Sequence, residues 1–278
     1  MLRKAARLAV DEVVIDFEDS VADTSKTNVT RSRLVTLVES LEWAAPQVAV
    51  RLNAYGSPWF DDDVSAIVGP LGHRADSVVV PKVEARETVE AVRRALGAVG
   101  SAARLQLIIE SARALVEVEA IAATAAKNQA EALLFGPGDY AASLGLAEPI
   151  LGGRHERFAG DRWQYARSRI VNAAHAFGLD AIDGPYAAFD DAEGLRKLAE
   201  HARLLGFTGK WAIHPAQIAV LTEVFTPTAA EVEHALSVVA ALETADSAGN
   251  GAAAQESVMI DAASIRMARR VLDSAAGT

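Results

Sequence analysis

A parallel α/β barrel is the fold this sequence predicts, and three observations predict it. Strand-length, β-branched runs recur along the chain; most are followed by a longer Ala-rich segment with apolar residues at helical spacing; and runs such as VVID, SVVVP and LQLIIE are apolar almost throughout. An unbroken apolar run belongs to a parallel strand covered on both faces, whereas an alternating one keeps a wet face. No G-x-G-x-x-G follows any strand, so the usual signal of an open dinucleotide-binding sheet is missing.

Strands are predicted at 12–17, 48–53, 77–82, 105–110, 132–135, 180–183 and 210–214. Helices are predicted at 26–41, 85–96, 112–126, 162–177 and 191–205, the last with an acidic first turn and Gly206 at its end. Closure of a TIM (β/α)8 barrel takes eight strands, and seven are visible. Residues 1–10 read as a helix leading into the first visible strand. The expectation is therefore a TIM (β/α)8 barrel lacking its first strand, with a recorded start downstream of the true one, because bare strand edges invite unwanted pairing. After Pro227 the pattern changes: 229–246 is helical, SAGNGAAAQES reads as a flexible linker, and 258–275 resumes as a short apolar start, Asp261 and a helix. This divides the chain into a barrel, 1–226, and a C-terminal helical extension, 227–278. The tail at 258–275 cannot bury its apolar stripe alone and is expected to dock on its own barrel or a neighbour's.

Composition narrows the function. The 278 residues are 51% hydrophobic and 23% charged, ordinary for a folded globular chain. Lys and Arg number 27 against 37 Asp and Glu, and the net charge of −10 disfavours a nucleic-acid partner. The lack of a basic stripe with interleaved aromatics points the same way. With no cysteine, disulfides, thiolate metal sites and a Cys nucleophile are excluded, so any catalytic metal is held by oxygen or imidazole. No apolar stretch approaches the roughly 20 residues of a membrane span, and MLRKAARLAVDE has no signal-peptide core. A cytoplasmic protein without a membrane partner is expected.

In a parallel barrel the reactive face is the carboxyl end of the strands. Those ends supply Asp16, Glu18, Asp19, Arg51, Asn53, Lys82, Glu110, Asp139, Asp183 and His214. Glu110 and Asp139 end consecutive strands, which suits a hard cation such as Mg²⁺ with several waters retained. Singly, Asp139 also fits a helix cap after Gly136-Pro137-Gly138, and Glu110 an ion pair with Arg113 or Lys82. Arg51 should point into the mouth, where a guanidinium grips a substrate carboxylate or pairs with Glu18 or Asp19. Asp16, Glu18 and Asp19 are expected to support the ion from behind or to touch its waters. Lys26 and Arg31 read as solvated helix charges or anion-pocket residues. His214, in KWAIHPAQ, reads as a hydrogen-bonded supporting residue rather than a base. GPGD is a tight turn without the Lys of a phosphate loop, and no nucleophile elbow occurs.

The segments DEVVIDFEDSVAD, VRLN, VVVPKVE, LIIESARALVEVEAIA, FGPGDYAASLG, AIDGPYAAFDDAEGL, LGFTGKWAIHPAQI, EVFTPTAAEVEHA and MIDAASIRMA resemble the citrate lyase β-subunit-like (HpcH/HpaI aldolase) superfamily. Within it they look most like malyl-CoA/β-methylmalyl-CoA lyases, with GKWAIHP, IDGPY and IDAASI the specific pieces. The resemblance implies a Mg²⁺-dependent carbon–carbon lyase, with Mn²⁺ as an alternative ion. Its substrates would be a malyl-CoA-type 3-hydroxyacyl-CoA thioester and, in reverse, glyoxylate with acetyl-CoA or propionyl-CoA. It further implies a homotrimer or homohexamer in which the C-terminal extension crosses onto the next protomer. Glu110 and Asp139 take the places of the metal carboxylates, Arg51 that of the residue holding the 2-oxo acid carboxylate, and Asp261 that of an acid/base reaching a neighbouring active site. Two departures stand out: the strand and CoA-holding turn expected before Met1, and a shortened segment at 150–161. Competing expectations are a lyase for citramalyl-CoA or a free hydroxy acid, and an inactive truncated barrel that binds partners through its tail.

Overall fold

The computed structural model of the protein describes residues 1–146, 152–153, 160–247, 253–255 and 258–276. The segment at 150–161 falls largely outside them. The chain forms two compact units, Met1–Ile218 and Ala219–Thr278.

The first unit is an α/β fold. Its strands are β1 (Glu12–Asp16), β2 (Gln47–Arg51), β3 (Ser77–Val80), β4 (Arg104–Ile109), β5 (Ala130–Phe135), β6 (Asp180–Asp183) and β7 (Gly209–Lys210). They form one sheet in sequential order, every neighbouring pair parallel. Sequential parallel order demands a crossover after each strand, and the helices Asn28–Glu39, Arg86–Ala98, Val118–Ala125, Gln164–Ala176 and Ala192–Leu205 lie in those crossovers. Among the described residues β1 and β7 are the edges of the sheet.

The sheet is curled. In a flat sheet β1 and β4 would stand about 14 Å apart, three strand spacings. Instead Gln106 of β4 donates to both carboxylate oxygens of Glu12 in β1, at 2.9 Å each. The inward residues Ala49, Val79, Ile108, Ala132 and Leu134 form one cluster that also touches Val14, Ile182 and Trp211, so all seven strand positions converge on it. The result is a half-barrel whose inner face is that cluster.

Local chemistry explains the element ends. The Thr27 hydroxyl accepts from the Thr30 N–H at 3.3 Å, so the first crossover helix begins at Asn28 rather than 26. Asp191 caps Ala192–Leu205 by accepting from the Gly194 N–H, and Gly206 ends it at φ 103°. Arg86–Ala98 buries Val89, Val92 and Leu96, one face at helical spacing. Several predictions need correction. The opening helix spans only Leu2–Ala5. Helix 112–126 is two pieces, broken at Glu117. GPGD is not a bare turn: Pro137 starts a helix, Pro137–Ser143, as its fixed φ suits. Strand 210–214 stops after Trp211, whose N–H donates to the Asp183 carbonyl at 3.0 Å; the Gln217 side chain then takes the Ile213 N–H at 2.8 Å into a turn.

The second unit comprises the helix Ala229–Ser247, an antiparallel hairpin of β8 (Ala253–Gln255) and β9 (Val258–Ile260), and the helix Ala262–Ala276. Part of the predicted flexible linker is thus strand β8. Ala235, Val238, Leu242, Ile260 and Ala268 make this unit's core. No described helix is long and apolar enough to cross a membrane.

Candidate active site

Side-chain alternation decides what reaches the barrel mouth. Ala49 and Val14 pack on the inner cluster, so Arg51 and Asp16, two residues on, share that face. Arg51 Nε donates to Asp16 Oδ1 at 2.8 Å and Nη2 to Asp16 Oδ2 at 2.6 Å, a two-pronged pair. Its Nη1 lies 3.0 Å from Glu18 Oε2, and Nη2 lies 3.4 Å from Asp19 Oδ2. The Trp211 ring covers the guanidinium at 5.7 Å. Burial works against charge on Arg51, but Asp16, Glu18 and Asp19 outweigh it and raise its pKa further. For Asp16, burial likewise opposes ionisation, and Arg51 reverses the balance, holding its pKa below the usual range. Glu18 is buried, and that burial lifts its pKa despite Lys82 and Arg51. The structure thus gives Arg51 the carboxylate partners that its sequence context offered, at the rim of a pocket.

Glu110 follows β4 with the inward parity of Ile108. Its carboxylate is buried and accepts the Lys82 N–H at 2.6 Å through Oε1. Lys82 can make that bond because its backbone is left-handed, φ 54°, a conformation non-glycine residues rarely adopt. Its ammonium meanwhile reaches Glu18 Oε1 at 2.9 Å. Burial pushes the Glu110 carboxyl up to about 8, helped by the charges of Asp139 and Glu18. Asp139 sits in the first turn of Pro137–Ser143, after β5. Gly136 lets the two segments meet: a Cβ there would lie 2.5 Å from Glu110 Cβ and 2.6 Å from Oε2. Glu110, Asp139, Asp19, Arg51 and Trp211 all line one pocket of about 290 Å³, floored by Ile108 and Leu134.

This chemistry fits a divalent ion of oxygen preference. Among the described residues no three His, Asp or Glu gather into a ligand set. Two carboxylates with the remaining positions left to water or substrate is the pattern Mg²⁺ accepts and a closed protein cage is not. A buried carboxyl raised to about 8 by burial and by neighbouring negative charge is a group that a divalent cation would stabilise in its ionised form.

Other predicted residues go elsewhere. His214 is exposed; its Nδ1 accepts from the Ala216 N–H at 3.2 Å and its ring lies 4.8 Å from that of Phe189, so it caps a turn and is not among the pocket residues. Asp183 borders the same pocket, but its fully buried carboxylate is already taken, by Lys210 Nζ at 2.6 Å and Arg167 Nη2 at 3.2 Å. Asp261 lies in the second unit, where Oδ1 caps Ala262–Ala276 by accepting from the N–H groups of Ala263 and Ser264. Those bonds, Ser264 first, lower its pKa, leaving an ionised carboxylate at neutral pH. Lys26 is not a simple solvated charge; it pairs with Asp23 at 3.0 Å and lies 4.3 Å over the Trp59 ring.

Arg31 is the clearest correction. It is 1% exposed and its Nε donates at 2.8 Å to Asp63, itself fully buried. Asp63 Oδ2 accepts the Asn53 N–H at 3.0 Å and the Asn53 amide at 2.6 Å, and that amide also reaches the Phe17 carbonyl. This network therefore fixes the ends of β1 and β2, just beyond Asp16 and Arg51. Asp63 was concealed in the run Asp61-Asp62-Asp63, which reads as a solvated first turn. The one available signal was a lone Asn53 at a strand end, needing a partner.

A family model described as HpcH/HpaI aldolase/citrate lyase matches residues 1–215. The L-malyl-CoA/beta-methylmalyl-CoA lyase of Rhodobacter capsulatus is 36% identical over 290 residues, spanning 99% of this chain and 90% of that protein. The (3S)-malyl-CoA thioesterase of Cereibacter sphaeroides is 34% identical over 276 residues, with the same coverage of 99% and 90%. Among solved structures, the protein CitE from Mycobacterium tuberculosis, in complex with magnesium, acetoacetate and coenzyme A, superposes with a TM-score of 0.75. It is 28% identical and covers 96% of this chain and 91% of that one.

Proposed function

The chain belongs to the HpcH/HpaI aldolase/citrate lyase family, and we propose that it is a Mg²⁺-dependent carbon–carbon lyase acting on a malyl-CoA-type 3-hydroxyacyl-CoA thioester. In the cleavage direction the products are glyoxylate and acetyl-CoA or propionyl-CoA. The observation that carries this reading is the convergence of Glu110, Asp139 and Arg51 on one pocket. The lyase relative and the magnesium and coenzyme A bound by CitE support it.

Glu110 and Asp139 would hold the ion, which supplies Lewis-acid polarisation of the oxygen on the reacting carbon. Arg51 binds and orients the carboxylate of the 2-oxo acid portion. Asp16 keeps the guanidinium in place, while Asp19, its longest contact at 3.4 Å and 63% exposed, is the partner a substrate carboxylate displaces. Asp261, contributed by a neighbouring subunit of a homotrimer or homohexamer, accepts the hydroxyl proton. The carbon–carbon electron pair then passes to the α-carbon of the thioester, which takes up a proton, and the oxo acid departs. A TIM barrel architecture, and capture of the CoA arm at its mouth, belong to the same proposal.

The test is product analysis with malyl-CoA, with and without EDTA. Equimolar glyoxylate and acetyl-CoA, lost in chelator and restored by Mg²⁺, are expected. Full activity in chelator removes the ion from the mechanism. Malate and free CoA, in place of glyoxylate, would assign the hydrolytic reaction of the thioesterase relative. Faster cleavage of citramalyl-CoA to pyruvate would change the substrate but keep the chemistry.

A further inference from the structure

We infer that Trp211 sets the size of the 2-oxo acid this pocket accepts; the inference rests on the lyase reading and adds a specificity-determining residue to it. Trp211 directly follows β7. Its indole points inward and packs on the cluster of Ala49, Val79, Ile108, Ala132 and Leu134. From there it crosses to β2, where its ring lies 5.7 Å from the Arg51 guanidinium carbon. It also lines the pocket that holds Glu110 and Asp139.

The carbonyl carbon of a 2-oxo acid carries a carboxylate, an oxygen and one further substituent. Arg51 claims the carboxylate, and the oxygen faces the acidic side of the pocket. The remaining substituent is left to the apolar wall, and the part of that wall in contact with Arg51 is the indole face. At about 290 Å³ the pocket sits at the small end of ligand sites, so a substituent larger than hydrogen meets the indole face directly. Hydrogen, as in glyoxylate, fits; each added carbon presses on a ring that is itself backed by the barrel core.

The experiment measures kcat/KM in the condensation direction for glyoxylate, pyruvate and 2-oxobutyrate with acetyl-CoA, in wild type, Trp211→Phe and Trp211→Leu. Wild type should favour glyoxylate over pyruvate at least tenfold, the range one methylene commands in an apolar pocket. Trp211→Leu should raise the pyruvate-to-glyoxylate ratio about tenfold and Trp211→Phe about threefold. If Trp211→Leu fails to fold, the Phe variant carries the test alone. A ratio unchanged within twofold, even with both rates depressed, overturns the inference, because Trp211 then acts only by steadying Arg51. Equilibrium binding of the three acids with Mg²⁺, by calorimetry, separates the two readings. A size order seen in wild type and relaxed in the variants upholds Trp211 even if no thioester is turned over. Absence of any size order overturns it even if the lyase reaction is found.

Discussion

Glu110 combines two properties that a structural carboxylate does not need together: burial beside other acids, and a backbone N–H that ties down only Oε1. Replacing it by Gln keeps the shape and an acceptor for the Lys82 N–H, but leaves no carboxyl that can ionise onto a cation. Glu110→Gln should therefore melt no lower than wild type without metal, while its lyase rate falls by on the order of 10³. Saturating Mg²⁺ at about 100 Kd should raise the wild-type melting temperature by roughly 5 °C and leave the variant unmoved. Thermal melts with and without Mg²⁺ check this; a variant still stabilised by the ion would place the ligand elsewhere. Lys82 shows the cost of this arrangement: its left-handed backbone is unfavourable by about 1–2 kcal/mol, and what it gains is an N–H aimed at Glu110.

Loops, not strands, bring the acids together. Gly136 touches Glu110 with no room for a methyl group, and a Cβ on Gly184 would stand 2.3 Å from the Phe135 carbonyl oxygen and 2.3 Å from Pro137 Cδ. The segments after β4, β5 and β6 are therefore interlocked through two glycines. Gly136→Ala pushes on a side chain, so stability should fall by about 1–3 kcal/mol while Mg²⁺ affinity falls at least tenfold. Gly184→Ala pushes on backbone and a proline ring and should destabilise more. Denaturant melts and calorimetric Mg²⁺ titration distinguish them; unchanged ion affinity in Gly136→Ala would show that the seat of Glu110 is not tightly defined.

Across the whole half-barrel, the amino end of the strands, beyond the apolar cluster, is polar on the inside. Glu12, Gln106 and Glu131 meet inside the sheet, with Ser77 donating to Glu131. Burial raises the Glu12 carboxyl to about 7, with Glu131 adding repulsion and Gln106 opposing it. Between pH 4.5 and 7 the folded protein holds a proton that the unfolded chain has released, so this group's contribution to stability falls as pH rises through that window. The loss is on the order of 3 kcal/mol. Glu12→Gln should match wild type near pH 4.5 and exceed it progressively up to pH 8; parallel stability curves would show that Glu12 ionises freely in the folded state.

The order of strands and helices, and the places of Arg51, Glu110 and Asp139 at or just past the ends of their strands, are legible in the sequence. Periodicity, caps and Pro or Gly breaks act between near neighbours, and those signals are written locally. Folding is what settles which strand-end side chains stay open to the pocket and which, like Asp183, are taken up by ion pairs beside it. It also decided that Arg31 and Asp63 are buried partners, that Lys82 serves Glu110 through its backbone, and that Trp211 lies over Arg51. These facts rest on contacts across 32 positions for Arg31 with Asp63 and 28 for Lys82 with Glu110. The bond that shows the sheet's curvature, Gln106 to Glu12, spans 94. Such pairs form only once the sheet curls, because no local rule of spacing relates residues that the chain separates by whole βα units.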